Sequence, residues 1–449
     1  MSLRIAGIKR TCYIRSAGVV ARLNGRSPNP KEFLAVQEIS VSQSAPKPPG
    51  SAGVLVFATL VLYAAFGEVA TGLVVPAMPA LGEIYNKTPG AIQLTIGAFA
   101  VMFAVGQLFF GPFSDRRGRR TALLIGAVLT LVGSAIAATA DGFWMIIVGR
   151  AIQGLGAASG YVVSRAIVRD IYGAEGSAKA MAILFALMAG SFMAAPLVGG
   201  ALLDLTGWRA CFVFVSAAAL IWLVSTIFIM PETGTAAPAS ETQPIHIVYL
   251  GLFRHRGFLA FMLTHSVGYA GLYCFVAGAP YFFIESLNIS ASSYGVIATI
   301  VLSGFLVGST AARYAIPRWG MKRVIPVSLA IMLGAPAILV LLGLLGWLPT
   351  PLIVALGFAS WFGGGFLAPN TAAGVMMSHP KAAGAAAAVL GFVQMCAAAA
   401  VSLVQGLIYD GTVFPMVGMQ LLLGVATWII WSRLKRYTVF GKDGETAGG

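Results

Sequence analysis

Long apolar runs separated by short polar stretches dominate the chain. Each run covers roughly 20 residues, the length that a helix needs to cross the hydrocarbon core of a bilayer. The strands of a membrane β-barrel would instead alternate polar and apolar residues over about ten positions. The pattern predicts an all-α membrane protein with twelve transmembrane helices, from runs at about 53–80, 91–113, 121–140, 143–164, 178–203, 209–230, 257–283, 291–312, 323–346, 351–376, 384–408 and 413–432.

The polar stretches divide the chain into two six-helix bundles with flanking segments. The predicted segments are a basic, disordered N-terminal tail at 1–50, a first bundle at 51–230, a linker at 231–255, a second bundle at 256–433 and a tail at 434–449. The composition of the first segment also fits an Arg-rich transit peptide or a start codon placed too far upstream. We expect this segment to be dispensable for membrane insertion.

The composition agrees with a membrane protein and indicates its orientation. The chain is 58% hydrophobic and 10% charged, whereas a soluble protein carries about 25% charged residues. Most of the net charge of +14 falls in loops on one side of the predicted membrane, and the other side receives Lys87 and Arg209. Because basic loops face the cytoplasm, we expect both termini there. The charge therefore indicates contact with the lipid bilayer and not with nucleic acid.

Motifs for enzymatic or ATP-driven chemistry are missing from the sequence. It contains no HExxH, GxSxG or Walker A motif, and no channel-type filter loop. The four cysteines (Cys12, Cys211, Cys274 and Cys396) lack metal-ligand spacing. We therefore expect a protein that is not an enzyme and needs no metal or cofactor.

A short repeat relates the two predicted bundles. The segment RRGRR at 116–120 joins the second and third runs, and RWGMKR at 318–323 joins the eighth and ninth. Gly118 and Gly320 correspond, with basic residues around both. Two six-helix repeats around a central cavity are an architecture of secondary transporters.

The first of these loops resembles the signature of the major facilitator superfamily, G-x-x-x-D-R/K-x-G-R-R/K. The matching residues are Gly111, Asp115, Arg116, Gly118, Arg119 and Arg120. Asp115 can accept hydrogen bonds from Arg119 or Arg120, or cap a neighbouring helix. We expect the loop to act as a conformational latch, because a signal for topology alone needs neither the aspartate nor the glycines.

Two further segments resemble motifs of the same superfamily. RAIQGLGAA in the fourth run is similar to its R-x-x-Q-G-x-G-A-A motif, through Arg150, Gln153, Gly154 and Gly156. AGSFMAAPLVGG in the fifth run is similar to its antiporter motif, with Pro196, Gly199 and Gly200 as a predicted hinge, but Ala195 stands where that motif has glycine. Close helix packing is the ordinary alternative for all these glycines.

Residues 60–410 resemble one branch of the superfamily, the Bcr/CflA type of drug antiporters for bicyclomycin and chloramphenicol. The segments that carry the resemblance are VPAMPAL, SRAIVRDIYG, GWRACF, MPET, APNTAAG and AGAAAAVLGFVQ. Branch members often have an acid four residues before the proline of the first run. Gly72 occupies that place here, and Glu68 lies one helical turn earlier.

Glu68 and Arg150 are the predicted proton-coupling residues. Glu68 lies about 18 Å and Arg150 about 12 Å from the outer ends of their helices, at 1.5 Å per residue. Ionisable groups within a bilayer are costly and usually mark pathways or relays. Burial favours the neutral form of an acid, and a nearby arginine favours its charged form. The alternatives are a static ion pair, a Glu68 side chain that reaches into a water-filled vestibule and, for Arg150, hydrogen bonds to backbone carbonyls.

The cavity candidates lie in the second bundle. His265, Tyr269 and Tyr273 share one face of the seventh run, where they can line an aromatic drug site or only pack. His265 is also a possible second titrating group. Asn370 and Gln394 complete the set, although a buried amide often only ties two helices together.

The expected function is proton-coupled export of amphipathic drugs by alternating access, in the inner membrane of a bacterium. The resemblance implies a monomer whose energy source is the proton gradient and whose other partners are small molecules. The alternative is the same fold carrying a natural metabolite, either as an exporter or as a proton symporter. Sparse polar groups in the apolar and aromatic runs favour lipophilic cargo.

Overall fold

The computed structural model describes residues 13–16, 19–22, 51–233, 245–379 and 382–438. Two short strands, Tyr13–Ser16 and Val19–Arg22, pair antiparallel with Tyr13 opposite Arg22. The rest of the predicted tail at 1–50 lies outside the described residues. The disorder and dispensability of that tail stay predictions.

The first six membrane spans follow the apolar runs. Span 1 has a break near Pro76, because a short 3-10 turn separates its two helices. Spans 4 and 5 are two helices that meet at a sharp kink at Gly173, whose φ of 65° and ψ of −172° are not helical. The helices of this N-terminal bundle are Ser51–Gly72 and Met78–Tyr85 (span 1), Pro89–Ile92 and Leu94–Arg117 (span 2), Arg119–Ala138 (span 3), Phe143–Thr206 (spans 4 and 5) and Trp208–Phe228 (span 6).

Spans 7 to 12 form the C-terminal bundle. Its helices are Arg256–Pro280, which a π-helical turn extends to Ser286 (span 7), Ala291–Leu344 (spans 8 and 9), Thr350–Ser378 (span 10), Ala383–Leu407 (span 11) and Phe414–Leu434 (span 12). A short helix, Ile245–Arg254, occupies the end of the predicted linker. Apolar composition did not reveal it, because it is too short to cross a bilayer.

Twelve membrane crossings result from eleven apolar helical stretches in the described ranges. One stretch, Ala291–Leu344, is 54 residues long and changes direction at Gly320. Its arms, 291–319 and 321–344, are each long enough to span the bilayer core. The predicted number of spans is therefore confirmed.

The sequence repeat is also a repeat of backbone geometry. Gly118 has φ 94° and ψ 150°, and Gly320 has φ 70° and ψ 157°. This combination is essentially restricted to glycine. At each site one glycine reverses the chain between two long helices. Span 3 therefore follows span 2 with the same turn geometry as span 9 follows span 8. We call the end of the molecule that holds both turns the linker end, and the opposite end the far end.

Polar contacts between the bundles seal the far end. Gln93 of span 2 donates from Nε2 to the carbonyl of Ala277 (2.7 Å) and accepts a hydrogen bond from Ser402 of span 11. A second contact at the far end joins span 5 to span 8, where Asp204 accepts from the backbone N–H of Ser292 (2.9 Å). The structure is therefore a state in which the bundles meet at the far end.

Candidate functional site

Glu68 lies in the middle of span 1, at the interface with the C-terminal bundle. Its side chain is partly buried, and its charge acts on the hydroxyls of Tyr269 and Tyr273 of span 7. No residue in the described part of the chain forms a hydrogen bond or ion pair with its carboxyl group. The structure thus brings an unpaired acid of one bundle against two tyrosines of the other.

Arg150 is fully buried in span 4 and held mainly by backbone. Its Nε donates to the carbonyl of Thr95 (3.2 Å) and its Nη1 to the carbonyl of Ala70 (3.1 Å). The guanidinium also lies 4.3 Å from the ring centroid of Phe99, within cation–π range. These contacts tie span 4 to spans 1 and 2.

Gln153 extends this anchor to span 3. Its Oε1 accepts from Arg150 Nη1 (2.6 Å), and its Nε2 donates to Ser134 Oγ (2.7 Å). The remaining nitrogen of Arg150, Nη2, is buried without a partner among the described residues. The Nη2 amino group of Arg150 thus keeps its donors free, although Arg150 and Gln153 together join four spans.

Glu68 and Arg150 do not form an ion pair in this state, and none of the polar contacts of Arg150 involves the Glu68 carboxyl. Tyr273 is within electrostatic range of both groups. The static-pair interpretation of the two residues has no support in this geometry.

His265 of span 7 forms a polar cluster with two neighbouring spans. Its Nε2 lies 3.1 Å from Gln394 Oε1 of span 11, and its Nδ1 lies 2.7 Å from Thr371 Oγ1 of span 10. Because an amide oxygen only accepts, Nε2 carries a proton and donates to Gln394. The Thr371 hydroxyl lies within hydrogen-bond distance of Nδ1 and of the backbone carbonyls of Leu367 and Ala368 (3.2 Å each). Tyr269 lies beside Gln394, and its ring centroid is 5.9 Å from that of Tyr273. Four of the five predicted cavity residues, namely His265, Tyr269, Tyr273 and Gln394, therefore lie next to one another in the structure.

Asn370 is the cavity candidate that stands apart. It is fully buried, and its Nδ2 donates to the carbonyl of Phe366 in its own helix (2.9 Å). Its Oδ1 has no partner among the described residues. This side chain closes a turn of span 10 and does not join the His265 cluster.

A charge clamp, defined as Asp115, Arg119, Asp170 and Glu232, occupies the linker end of the N-terminal bundle. Arg119 pairs with Asp115 (2.5 Å) and with Asp170 of span 4 (3.1 Å). Glu232, which follows span 6, accepts from the backbone N–H groups of Arg119 and Arg120 (2.7 and 3.2 Å). The clamp therefore joins spans 2, 3, 4 and 6 within one bundle.

The other signature residues support the clamp to different extents. A side chain at Gly118 would bring its Cβ within 2.5 Å of the Glu232 carboxylate. Arg120 donates to the carbonyls of Thr226 and Ile227. Gly111 lies against Val162 of span 4, and Arg116 is exposed. A latch role across the two bundles stays a prediction.

The predicted glycines of spans 4 and 5 lie at close helix contacts. A Cβ at Gly154 or Gly156 would come within 2.5 Å of backbone oxygens of spans 2 and 3. Gly199 similarly meets span 1 at Leu73, and Gly200 meets span 8 at Ala291. The Pro196 segment therefore packs against both bundles, and its hinge role stays a prediction.

A family model of known proteins matches this arrangement. The model described as Major Facilitator Superfamily aligns with residues 60–403, more than half of the chain. The chain belongs to the major facilitator superfamily. It is therefore a membrane transporter and not an enzyme, as the missing catalytic motifs predict.

Relatives place this transporter close to the predicted branch of the superfamily. It is 30% identical over 344 residues to the "Multidrug resistance protein D" of Escherichia coli, an alignment that covers 75% of this chain and 84% of the relative. It is 28% identical over 317 residues to the "Chloramphenicol resistance protein" of Pseudomonas aeruginosa, with coverages of 68% and 74%. The resemblance to the drug-antiporter branch is thus confirmed at modest identity.

The fold of the transporter also agrees with solved structures of the superfamily. The chain superimposes on a D-xylose-proton symporter with a TM-score of 0.68, covering 85% of this chain and 98% of that one, at 18% sequence identity. The likeness confirms the predicted fold of two six-helix bundles.

Sequence reasoning missed several polar residues that this transporter uses. Asp170 and Glu232 lie in segments that carry the branch resemblance, but their partners are 51 and 113 residues away in the chain. Thr371 gave no signal beyond its place one residue after Asn370. Gln93 of span 2, which bonds to Ala277 and Ser402, was visible as a lone amide in an apolar run, and a buried amide in a membrane helix usually bonds across helices.

Proposed function

We propose that this transporter is a proton-coupled antiporter that exports amphipathic drugs or similar xenobiotics by alternating access. In this proposal it works as a monomer in the inner membrane of a bacterium, with both termini in the cytoplasm. The inward movement of protons drives the outward movement of cargo, and no cofactor takes part.

The unpaired carboxyl of Glu68 carries the proposal. A carboxylate without a partner is costly inside a membrane protein, so its protonation state decides how readily the bundles close around it. A proton on Glu68 removes the charge that faces Tyr269 and Tyr273. In one half of the cycle the group takes up a proton at the far end, and in the other it releases the proton at the linker end.

Aromatic side chains at the interface of the two bundles support the choice of cargo. Tyr269 and Tyr273 pack together, and Phe192 of span 5 faces Trp361 of span 10 with ring centroids 6.1 Å apart. Such rings offer apolar faces to a planar or cationic guest. A cargo with an apolar body and few polar groups therefore suits this interface better than a sugar. The names of two relatives, which mention multidrug and chloramphenicol resistance, point the same way.

The test is transport by purified protein in proteoliposomes under an imposed pH gradient. The panel contains phenicols, bicyclomycin-like compounds and cationic dyes. Wild-type protein should move at least one of them against its gradient, and Glu68→Gln should abolish this movement while binding of the same compound persists. Glu83→Gln, which alters an exposed acid of the same span, is the matched control and should transport normally.

Two outcomes would contradict the proposal in different ways. If proton-driven transport survives in Glu68→Gln, the antiport mechanism stands but Glu68 is not the group that carries the proton. His265→Gln would then be the next variant. A failure to move any compound would favour a metabolite carrier. The hydrogen-bonding cluster of His265, Thr371 and Gln394 is the observation that keeps this second candidate open.

A further inference from the structure

A basic pocket lies at the linker end of the C-terminal bundle, away from the transport site. It opens between the beginning of span 7 and the end of span 12, and its volume is about 560 Å³. Its lining includes Arg256, Leu259, Ser432, Arg433, Arg436 and Tyr437. It thus combines three guanidinium groups with two hydroxyls and an apolar wall.

The positive charge of this pocket is not compensated within the described part of the chain. Arg256 donates from Nη1 to Tyr437 Oη (2.9 Å), and no carboxylate there pairs with Arg256, Arg433 or Arg436. The guanidiniums of Arg256 and Arg436 also lie 4.9 and 4.7 Å from the centroid of the Tyr437 ring. One tyrosine therefore holds two cations together, and a bound anion would relieve their repulsion.

The position of the pocket relates it to the membrane surface. The exposed apolar residues of span 12 include Leu422, Val425 and Ile429, whose spacing of three and four residues defines one helix face. Arg433 and Arg436 continue the same spacing to the end of the span. Trp428, which is 40% exposed, lies five residues before Arg433, and tryptophan marks the headgroup region of a bilayer. The arginines thus stand where a lipid-facing surface reaches the headgroups.

We propose that this pocket binds the phosphate of an anionic phospholipid from the leaflet at the linker end. Arginine forks match two oxygens of a phosphate, the hydroxyl of Tyr437, which accepts from Arg256, can donate to another, and Leu259 borders the site on the apolar side. Basic pockets between membrane helices suit anionic headgroups. A zwitterionic lipid carries its own cation next to the phosphate and gains less from three arginines. The proposal does not depend on the cargo.

Lipid retention by the full-length protein tests this site. Protein purified from equimolar phosphatidylglycerol and phosphatidylcholine is examined by native mass spectrometry for bound lipid. Wild-type protein should retain phosphatidylglycerol preferentially, and the double variant Arg433→Gln/Arg436→Gln should lose that preference by about tenfold or more. The matched control is Arg313→Gln/Arg318→Gln, which removes two linker-end arginines of span 8 and should keep the preference.

A second measurement separates the lipid from a soluble anion. Phosphatidylglycerol added to detergent-solubilised protein should raise its melting temperature, and inorganic phosphate at the same concentration should not. Equal retention of phosphatidylglycerol by the Arg433/Arg436 variant would overturn the proposal. So would inorganic phosphate that matches the lipid in the melting experiment, because the pocket would then be a site for soluble phosphate.

Discussion

The turn between spans 2 and 3 and the turn between spans 8 and 9 have the same backbone geometry and different surroundings. Both are single glycines with positive φ, between basic residues. Around Gly118, Asp115 and Asp170 pair with Arg119, and Glu232 accepts from the backbone N–H groups of Arg119 and Arg120. Around Gly320, Arg318, Lys322 and Arg323 have no acidic partner in the described part of the chain, and a Cβ on the glycine would meet nothing within 4 Å.

This difference separates two functions of the loop signature. The glycine lets the chain reverse between two membrane helices, and both bundles need that reversal. The acids fasten four helix ends together, and among the residues that the structure describes the C-terminal bundle has no such clamp. The linker ends of the two bundles should therefore respond differently to the same substitutions.

Replacing the two glycines should have the largest effect. Alanine at either site would hold a strained backbone, a cost of roughly 1 to 3 kcal/mol. Gly118→Ala would also displace the Glu232 carboxylate, so we expect a total loss of about 3 kcal/mol there and about 1 kcal/mol for Gly320→Ala. Melting temperatures in detergent measure both. Equal losses of stability in the two variants would show that the acids around Gly118 do not add to the cost of replacing that glycine.

Removing one basic residue from each turn should have an intermediate effect. The Arg119 side chain is 14% exposed and bonded to Asp115 and Asp170, so Arg119→Gln should destabilise the protein by about 1–2 kcal/mol. Arg318→Gln, its counterpart beside Gly320, should change stability by less than about 0.5 kcal/mol. The same melting assay applies. A large loss of stability in Arg318→Gln would reveal a partner for that arginine, and the two turns would then no longer differ in this respect.

Acid pH should produce the smallest effect on stability, at the linker end of the C-terminal bundle. Burial and the neighbouring His255 lower the pKa of His379 below its ordinary value of 6.5. The unfolded chain therefore binds more protons than the folded one as the pH falls below 6.5, and stability decreases in that direction. The protection factors for hydrogen exchange at the end of span 10, after correction for the intrinsic pH dependence of exchange, should thus fall as the pH is lowered from 7.5 to 5.5. In His379→Gln this pH dependence should disappear, and its persistence would assign it to another group.

The fold was largely readable from the sequence because membrane spans obey a simple constraint of length and polarity. The reversal at Gly118 and its repeat at Gly320 were equally visible, since glycine and basic residues recur at one spacing. The clamp was only half visible. Asp115 and Arg119 are neighbours in the chain, whereas Asp170 and Glu232 reach them only through the packing of spans 4 and 6.

The candidate transport site shows the same limit. The depth of Glu68 followed from counting residues along a helix. Its lack of a partner did not, because that depends on which way Arg150 points. Arg150 turns toward backbone carbonyls of spans 1 and 2, and no pattern of side chains encodes such acceptors.

The anchoring of Arg150 has a consequence for how its importance would appear in mutational or evolutionary data. Two of its acceptors are main-chain oxygens, at Ala70 and Thr95, and every amino acid supplies such an oxygen. Small replacements at these two positions would leave the anchor intact. A scan of all single substitutions should therefore find position 150 intolerant and positions 70 and 95 limited by side-chain volume alone. Pairwise covariation among homologues would not reveal these two contacts, however strongly selection maintained them.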